Sequence, residues 1–168
     1  VEDVAETAIH ALGIDDTLTH VEVKLTPKSG EVIEANARLG GYTRTLYGRG
    51  GRGDPLRAAF DLAAGREPAP LRAPERAIMV LLVQPPVDAT TLERAPSVQR
   101  LRSLPGVHVL DVVRRPGDRV DWREGSPSRV LDLWIEAPDH DELRRRADAL
   151  QDLLDAELRF GKEARSPA

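Results

Sequence analysis

The sequence predicts an α+β protein in two parts, and three observations carry that expectation. Apolar residues at helical spacing (Val1, Ala5, Ala8, Ile9, Leu12) lead into two short alternating segments that read as a hairpin. A proline-dense stretch, residues 66–76 (REPAPLRAPER), then interrupts the pattern. Beyond it, apolar runs and one long amphipathic segment follow in the order β-α-β-β-α, which calls for a helix-backed, mostly antiparallel sheet. The expected divisions are a first lobe over 1–65, a connector over 66–76, an α+β subdomain over 77–160 and a tail over 161–168.

Each element has a local reason. The first helix runs to Leu12, with Gly13 as its C-terminal stop. The hairpin strands span about 21–25 and 32–37, joined by a Pro-Lys-Ser-Gly turn centred near Lys28. Residues 42–53 (YTRTLYGRGGRG) read as an irregular loop because glycine is dense there. Asp54-Pro55 pairs an N-cap residue with proline at the first helical position. That helix is expected to run through Leu56, Ala59, Phe60 and Ala63 to Gly65. Residues 77–83 form a continuous apolar run, as a buried strand does, and 96–104 a short helix closed by Pro105-Gly106. Strands follow over 107–113 and 130–136, separated by a charged loop over 117–128. Asp139 caps a long helix with Leu143, Ala147, Leu150, Leu154 and Leu158 on one face.

Composition excludes several function classes. The 168 residues are 40% hydrophobic and 31% charged, the balance of a soluble globular protein. A net charge of −4, with a pI near 5.6, lacks the basic footprint of a nucleic-acid binder. No apolar run is long enough for a membrane span. The absence of cysteine removes disulfides, thiol chemistry and Cys-ligated zinc, and fits a cytoplasmic location. Lysine occurs only at Lys24, Lys28 and Lys162, and the chain opens at Val1 already in a helical pattern. A fragment of a longer polypeptide is therefore expected.

The hairpin carries the chemistry. Side chains alternate faces along a strand, so Val21, Val23 and Leu25 share one face with Ile33, Ala35 and Ala37. Glu22 and Lys24 share the other with Val32, Glu34, Asn36 and Arg38. A turn centred near Lys28 sets Glu22 opposite Glu34, and like charges in that position repel unless a cation lies between them. Asn36 adds a neutral oxygen donor one step along; hard oxygen ligands of this kind suit Mg²⁺ with phosphate oxygens. Arg38, next in line, presents a donor fork for a phosphate or an oxyanion. The plainer alternative is the solvated face of a half-buried hairpin. His20 falls on the acidic face as well, either bordering the site or simply entering the strand. Arg52-Gly53-Asp54 spells an adhesion-type tripeptide, but Asp54 is accounted for as a helix cap. Trp122 and Trp134 are expected to pack, and Arg144, Arg145 and Arg146 to line a solvated face with side-chain pairs.

Glu22, followed twelve residues later by Glu34-x-Asn36-x-Arg38, resembles the magnesium-binding strands of the ATP-grasp superfamily. The continuation Leu39-Gly40-Gly41 is most similar to the L-amino-acid ligase group, which joins a carboxylate to an amine. The Asp-led helix, the Leu104-Pro-Gly-Val107 segment, the Pro116-Gly-Asp118 turn and the terminal helix extend the resemblance over nearly the whole chain; residues 19–41 are its specific part.

The resemblance implies an ATP-dependent ligase that forms an amide through an acyl phosphate. Its cofactor would be Mg²⁺ (or Mn²⁺), with ATP and small amino-acid-like carboxylate and amine substrates as ligands. It implies Glu22, Glu34 and Asn36 as metal ligands and Arg38 as the catalytic contact to the transferred phosphoryl group. Gly40 and Gly41 would let backbone approach the substrate, with Tyr42 as a pocket wall. The nucleotide lobe of such enzymes, with its lysines and mobile loop, is missing from these residues. The chain is therefore expected to be the C-terminal portion of an ATP-grasp fold, with the other lobe supplied in cis or in trans, and inactive by itself. Association with further copies is compatible with this. The rival expectations are a non-catalytic interaction or dimerisation module and one subunit of a split enzyme.

Overall fold

A computed structural model describes residues 1–27 and 29–162. The expected turn centre at Lys28 and residues 163–168 of the tail lie outside the described residues. Two compact units meet in sequence between Glu75 and Arg76.

In the first unit, helix α1 (Glu2–Ala11) ends in a Schellman closure. Gly13, at φ 63°, donates its N–H to His10 O and Ile14 donates to Ile9 O at 3.2 Å. Strands β1 (His20–Leu25) and β2 (Gly30–Asn36) pair antiparallel. Helix α1 packs on this hairpin at Gly30, where a Cβ would lie 3.6 Å from Val4 Cγ2 and 3.0 Å from Val23 Cγ1. Glu22 pairs with Glu34 and His20 with Asn36, so the acidic end keeps the expected register. The register then slips: Val23 faces Val32, leaving Ile33 as the extra residue of a β-bulge. Simple alternation fails beyond this point. Ile33, expected on the packed face, is 64% exposed.

Two further local expectations are corrected. Strand β2 stops at Asn36, because Arg38 N–H turns back to Asn36 O at 2.8 Å. Residues 42–53 are not wholly irregular: Thr43–Arg49 form helix α2, closed by Leu46 N–H to Tyr42 O and Gly50 N–H to Leu46 O, each at 3.0 Å. The glycines act as its terminator, with Gly51 at φ 77°. Residues 50–52 then bond to the returning connector, through Arg72 N–H to Arg52 O and Glu75 N–H to Gly50 O.

Helix α3 (Pro55–Ala63) begins as the sequence predicts, with Asp54 Oδ1 accepting from Leu56 N–H at 3.0 Å and Arg57 N–H at 3.3 Å. Asp54→Ala removes both bonds and is expected to cost about 1 kcal/mol of first-unit stability, read as faster amide exchange in α3. The buried face of α3 differs from the expected one. Pro55, Ala58 and Asp61 are buried, whereas Phe60 is 63% exposed. An aspartate is tolerated there because Arg66 grips Oδ1 through Nη2 at 2.7 Å and Nε at 3.0 Å, and Arg57 Nε holds Oδ2 at 2.9 Å. Those bonds, Arg66 first and Arg57 second, hold the Asp61 carboxyl below its ordinary 3.8. A carboxyl lowered on folding contributes stability that is present above its unfolded value and is lost as pH falls through the folded value. First-unit stability is therefore expected to decline below about pH 3.8, with Asp61→Asn flattening that acid limb in far-UV melts recorded across pH.

In the second unit, β3 (Ala77–Val83), β6 (Leu131–Ala137) and β5 (Val107–Val112) form an antiparallel sheet in that spatial order. The expected β-α-β-β-α order lacked two strands. β4 (Ala89–Arg94) and β7 (Arg159–Lys162) pair with each other, which makes the unit β-β-α-β-β-α-β with α4 (Val98–Arg102) and α5 (His140–Glu157). Asp139 caps α5 by accepting from Glu142 N–H at 2.8 Å. Leu143, Leu150, Leu153 and Leu154 of α5 join Leu131, Leu133 and Ile135 of β6 in the core. Arg146 fastens the helix to the sheet, donating to Glu136 O at 2.9 Å while bonding Glu142 at 2.7 Å. Arg145 bonds the same carboxylate, so two of the three consecutive arginines are paired as expected. Trp134 packs at 9% exposure, but Trp122 is 42% exposed with Arg123 over its ring.

Candidate functional site

The register that sets Glu22 opposite Glu34 also sets His20 opposite Asn36. Two neighbouring cross-strand pairs thus bring four oxygen or nitrogen donors to one face of the hairpin. A ring nitrogen of His20 and a carboxylate oxygen from each glutamate all lie within 4.8 Å of one another. Both glutamates are exposed, while His20 and Asn36 are half-buried. Among the described residues, no lysine or arginine forms an ion pair with either glutamate. The mutual repulsion of the pair is therefore unrelieved by those groups.

Asn36 orients one member of the pair. Its Nδ2 donates to Glu34 Oε1 at 2.7 Å, which leaves its own carbonyl oxygen and Glu34 Oε2 for another partner. The donor set is two carboxylates and an amide oxygen, which fits a hard divalent cation in its chemistry. The imidazole beside them was weighed in the sequence only as a possible border. Its signal is the His-x-Glu spacing, which on a strand puts both side chains on one face.

Arg38 sits past the strand end, so its position follows from the turn and not from strand alternation. Its Nη1 donates to the adjacent Leu39 O at 3.1 Å, and the side chain is exposed. Four guanidinium N–H groups are left for a ligand. Gly40 also has a packing role. A Cβ there would lie 2.6 Å from His20 Cδ2 and 2.9 Å from Thr43 Oγ1, so the glycine makes room for the imidazole ring. Gly41 is exposed, with nothing within 4 Å of a Cβ. Tyr42 is half-buried at the start of α2. A concavity of about 480 Å³ in this unit is lined by Arg44, Gly48, Gly51, Gly53, Asp54, Arg72 and Glu75.

No family model and no curated protein matches the chain. A solved structure does. Over 97% of its length the chain superposes on the crystal structure of phosphoribosylglycinamide synthetase from Anaerococcus prevotii, with a TM-score of 0.59 and 14% identity. The likeness shows a fold shared with part of that synthetase. The chain spans 43% of that synthetase's length. Likeness at this level concerns the fold alone. Among the described residues, no helix is long and apolar enough to cross a membrane.

Proposed function

We propose that the chain is the C-terminal part of a cytoplasmic ATP-dependent carboxylate–amine ligase of the L-amino-acid ligase type. The observation that carries this reading is the Glu22–Glu34 cross-strand pair with Asn36 beside it, on a fold shared with an ATP-grasp synthetase. The lobes follow the divisions 1–65 and 77–160 about the connector 66–76, and the nucleotide lobe is supplied by another segment or chain.

Glu22, Glu34 and the Asn36 carbonyl would hold Mg²⁺ or Mn²⁺ on the phosphates of ATP. The ion supplies charge neutralisation during phosphoryl transfer from ATP to the substrate carboxylate. The chain's own residues then have separate tasks. Asn36 Nδ2 keeps Glu34 in one rotamer, so that its second oxygen is presented without further ordering. Arg38 offers its free N–H groups to the transferred phosphoryl group and, after transfer, to the acyl phosphate that the amine attacks. Gly41, open on its Cβ side, allows a substrate to approach the backbone, with Tyr42 flanking the approach.

The test is ligation in a polypeptide or reconstituted pair that carries the nucleotide lobe as well. Hydroxylamine intercepts an acyl phosphate as a hydroxamate, with ADP released. Wild-type protein is expected to form hydroxamate from an amino-acid carboxylate and Glu34→Ala is not. Equal yields from both would sink the assignment of the metal site.

A further inference from the structure

We propose that His20 is a direct ligand in the hairpin site, and that the site therefore takes a first-row transition ion such as manganese in preference to magnesium. The proposal rests on the metal reading of Glu22 and Glu34 given above and adds a nitrogen donor to it.

Three independent features point to the imidazole. The first is distance. Two ligands on opposite sides of one small ion stand about 4.2 Å apart. At most one pair of the three donors can be so placed; the other pairs would stand about 3.0 Å apart, so the His20 nitrogen and the two carboxylate oxygens, all within 4.8 Å, must close by up to about 1.8 Å. The exposed Glu22 side chain makes that movement, while Asn36 holds Glu34.

The second is an unspent lone pair or proton. His20 Nδ1 is buried and has no hydrogen-bond partner. Buried polar atoms are nearly always paired, and exceptions mark places where an ion, water or ligand belongs.

The third is immobility. The ring lies directly over Gly40, where a Cβ would stand 2.6 Å from Cδ2 and 3.0 Å from Nε2, with Thr43 Oγ1 on the same spot. The ring packs closely against Gly40, which limits its freedom to swing away from the carboxylates. Such pre-positioning lowers the ordering cost of binding.

The ion class follows from donor chemistry. Magnesium favours oxygen donors and gives up its waters reluctantly. Imidazole suits first-row transition ions better than magnesium, and manganese is the member of that row that shares magnesium's affinity for carboxylate and carbonyl oxygen. Adding His20 to Glu22, Glu34 and the Asn36 carbonyl therefore shifts the balance toward Mn²⁺ while leaving Mg²⁺ an oxygen-only mode.

The experiment titrates the full 168-residue chain with Mn²⁺ and with Mg²⁺ as the metals alone, and records nitrogen modulation in the electron spin echo of bound Mn²⁺. Wild-type chain is expected to show ¹⁴N modulation from one imidazole. His20→Ala is expected to lose that signal and roughly 10–100-fold in Mn²⁺ affinity, with Mg²⁺ affinity changed less than about threefold. Gly40→Ala, which retains the imidazole but pushes it aside, is expected to weaken Mn²⁺ in the same direction. Bound Mn²⁺ without nitrogen modulation overturns the proposal and leaves the two-glutamate site standing. Failure of both ions to bind the wild-type chain overturns the proposal, but hydroxamate formation by the complemented enzyme would still support the ligase reading.

Discussion

Glu34→Ala is expected to lower kcat for ligation by about 10³-fold, with full-length or complemented protein assayed at saturating Mg²⁺ and ATP. The size of the effect follows from what the substitution removes. On the proposed reading one carboxylate leaves the metal face, the partner of Asn36 Nδ2 goes with it, and Glu22 would be left as a lone acidic ligand. A weaker ion at the phosphates costs charge stabilisation in the transition state and some binding, so kcat should fall while the KM for ATP rises. Glu34→Gln separates the two contributions. It retains an acceptor for Asn36 but halves the formal charge of the pair, and an intermediate rate is expected from it. Unchanged kcat in both variants would mean that the face is only a solvated hairpin surface.

The second large effect concerns stability. Leu133 is fully buried on the central strand β6, opposite Leu81 on one side and Val109 on the other, within the core that α5 covers. Leu133→Ala is expected to destabilise the second unit by about 2–5 kcal/mol, because β6 is held on both edges and cannot collapse into the cavity. The measurement has a built-in selectivity. Trp122 and Trp134 both lie in this unit and the first has no tryptophan, so tryptophan fluorescence during denaturation follows the second unit alone. A midpoint change confined to the tryptophan signal, with the tyrosine-bearing first unit unaffected, is the expected outcome. A loss below about 1 kcal/mol would mean that the sheet relaxes around the cavity.

Local physics made the acidic end of the hairpin legible. The Glu22–Glu34 pairing depends on sequence separation and a short turn, both visible in the residues, and the structure keeps that register. Asp54 and Asp139 were equally legible, since an N-cap is decided by a few neighbouring atoms. What escaped was decided by partners distant in the chain. Strands β4 and β7 pair residues such as Ala89 and Lys162, and the four-residue β7 follows α5 with no turn residues to announce it. Helix α2 was hidden by the glycines that end it. Asp61 took the buried place expected for an apolar residue because two arginines, one of them beyond the helix, neutralise it. His20 was visible beside Glu22, but its contact with Gly40 depends on a chain reversal that alternation cannot describe.

The bulge after Glu22 gives the hairpin two ends with different histories open to them. Because the second strand carries one surplus residue there, pairing toward the tip is out of step with pairing at the acidic end. Insertions, deletions or substitutions around Leu25, Val32 and Ile33, all exposed, change the tip and stop at that dislocation. The spacing of the two glutamates is insulated from them. A lineage of such chains is thus free to remodel the tip for new neighbours while inheriting the same acidic face.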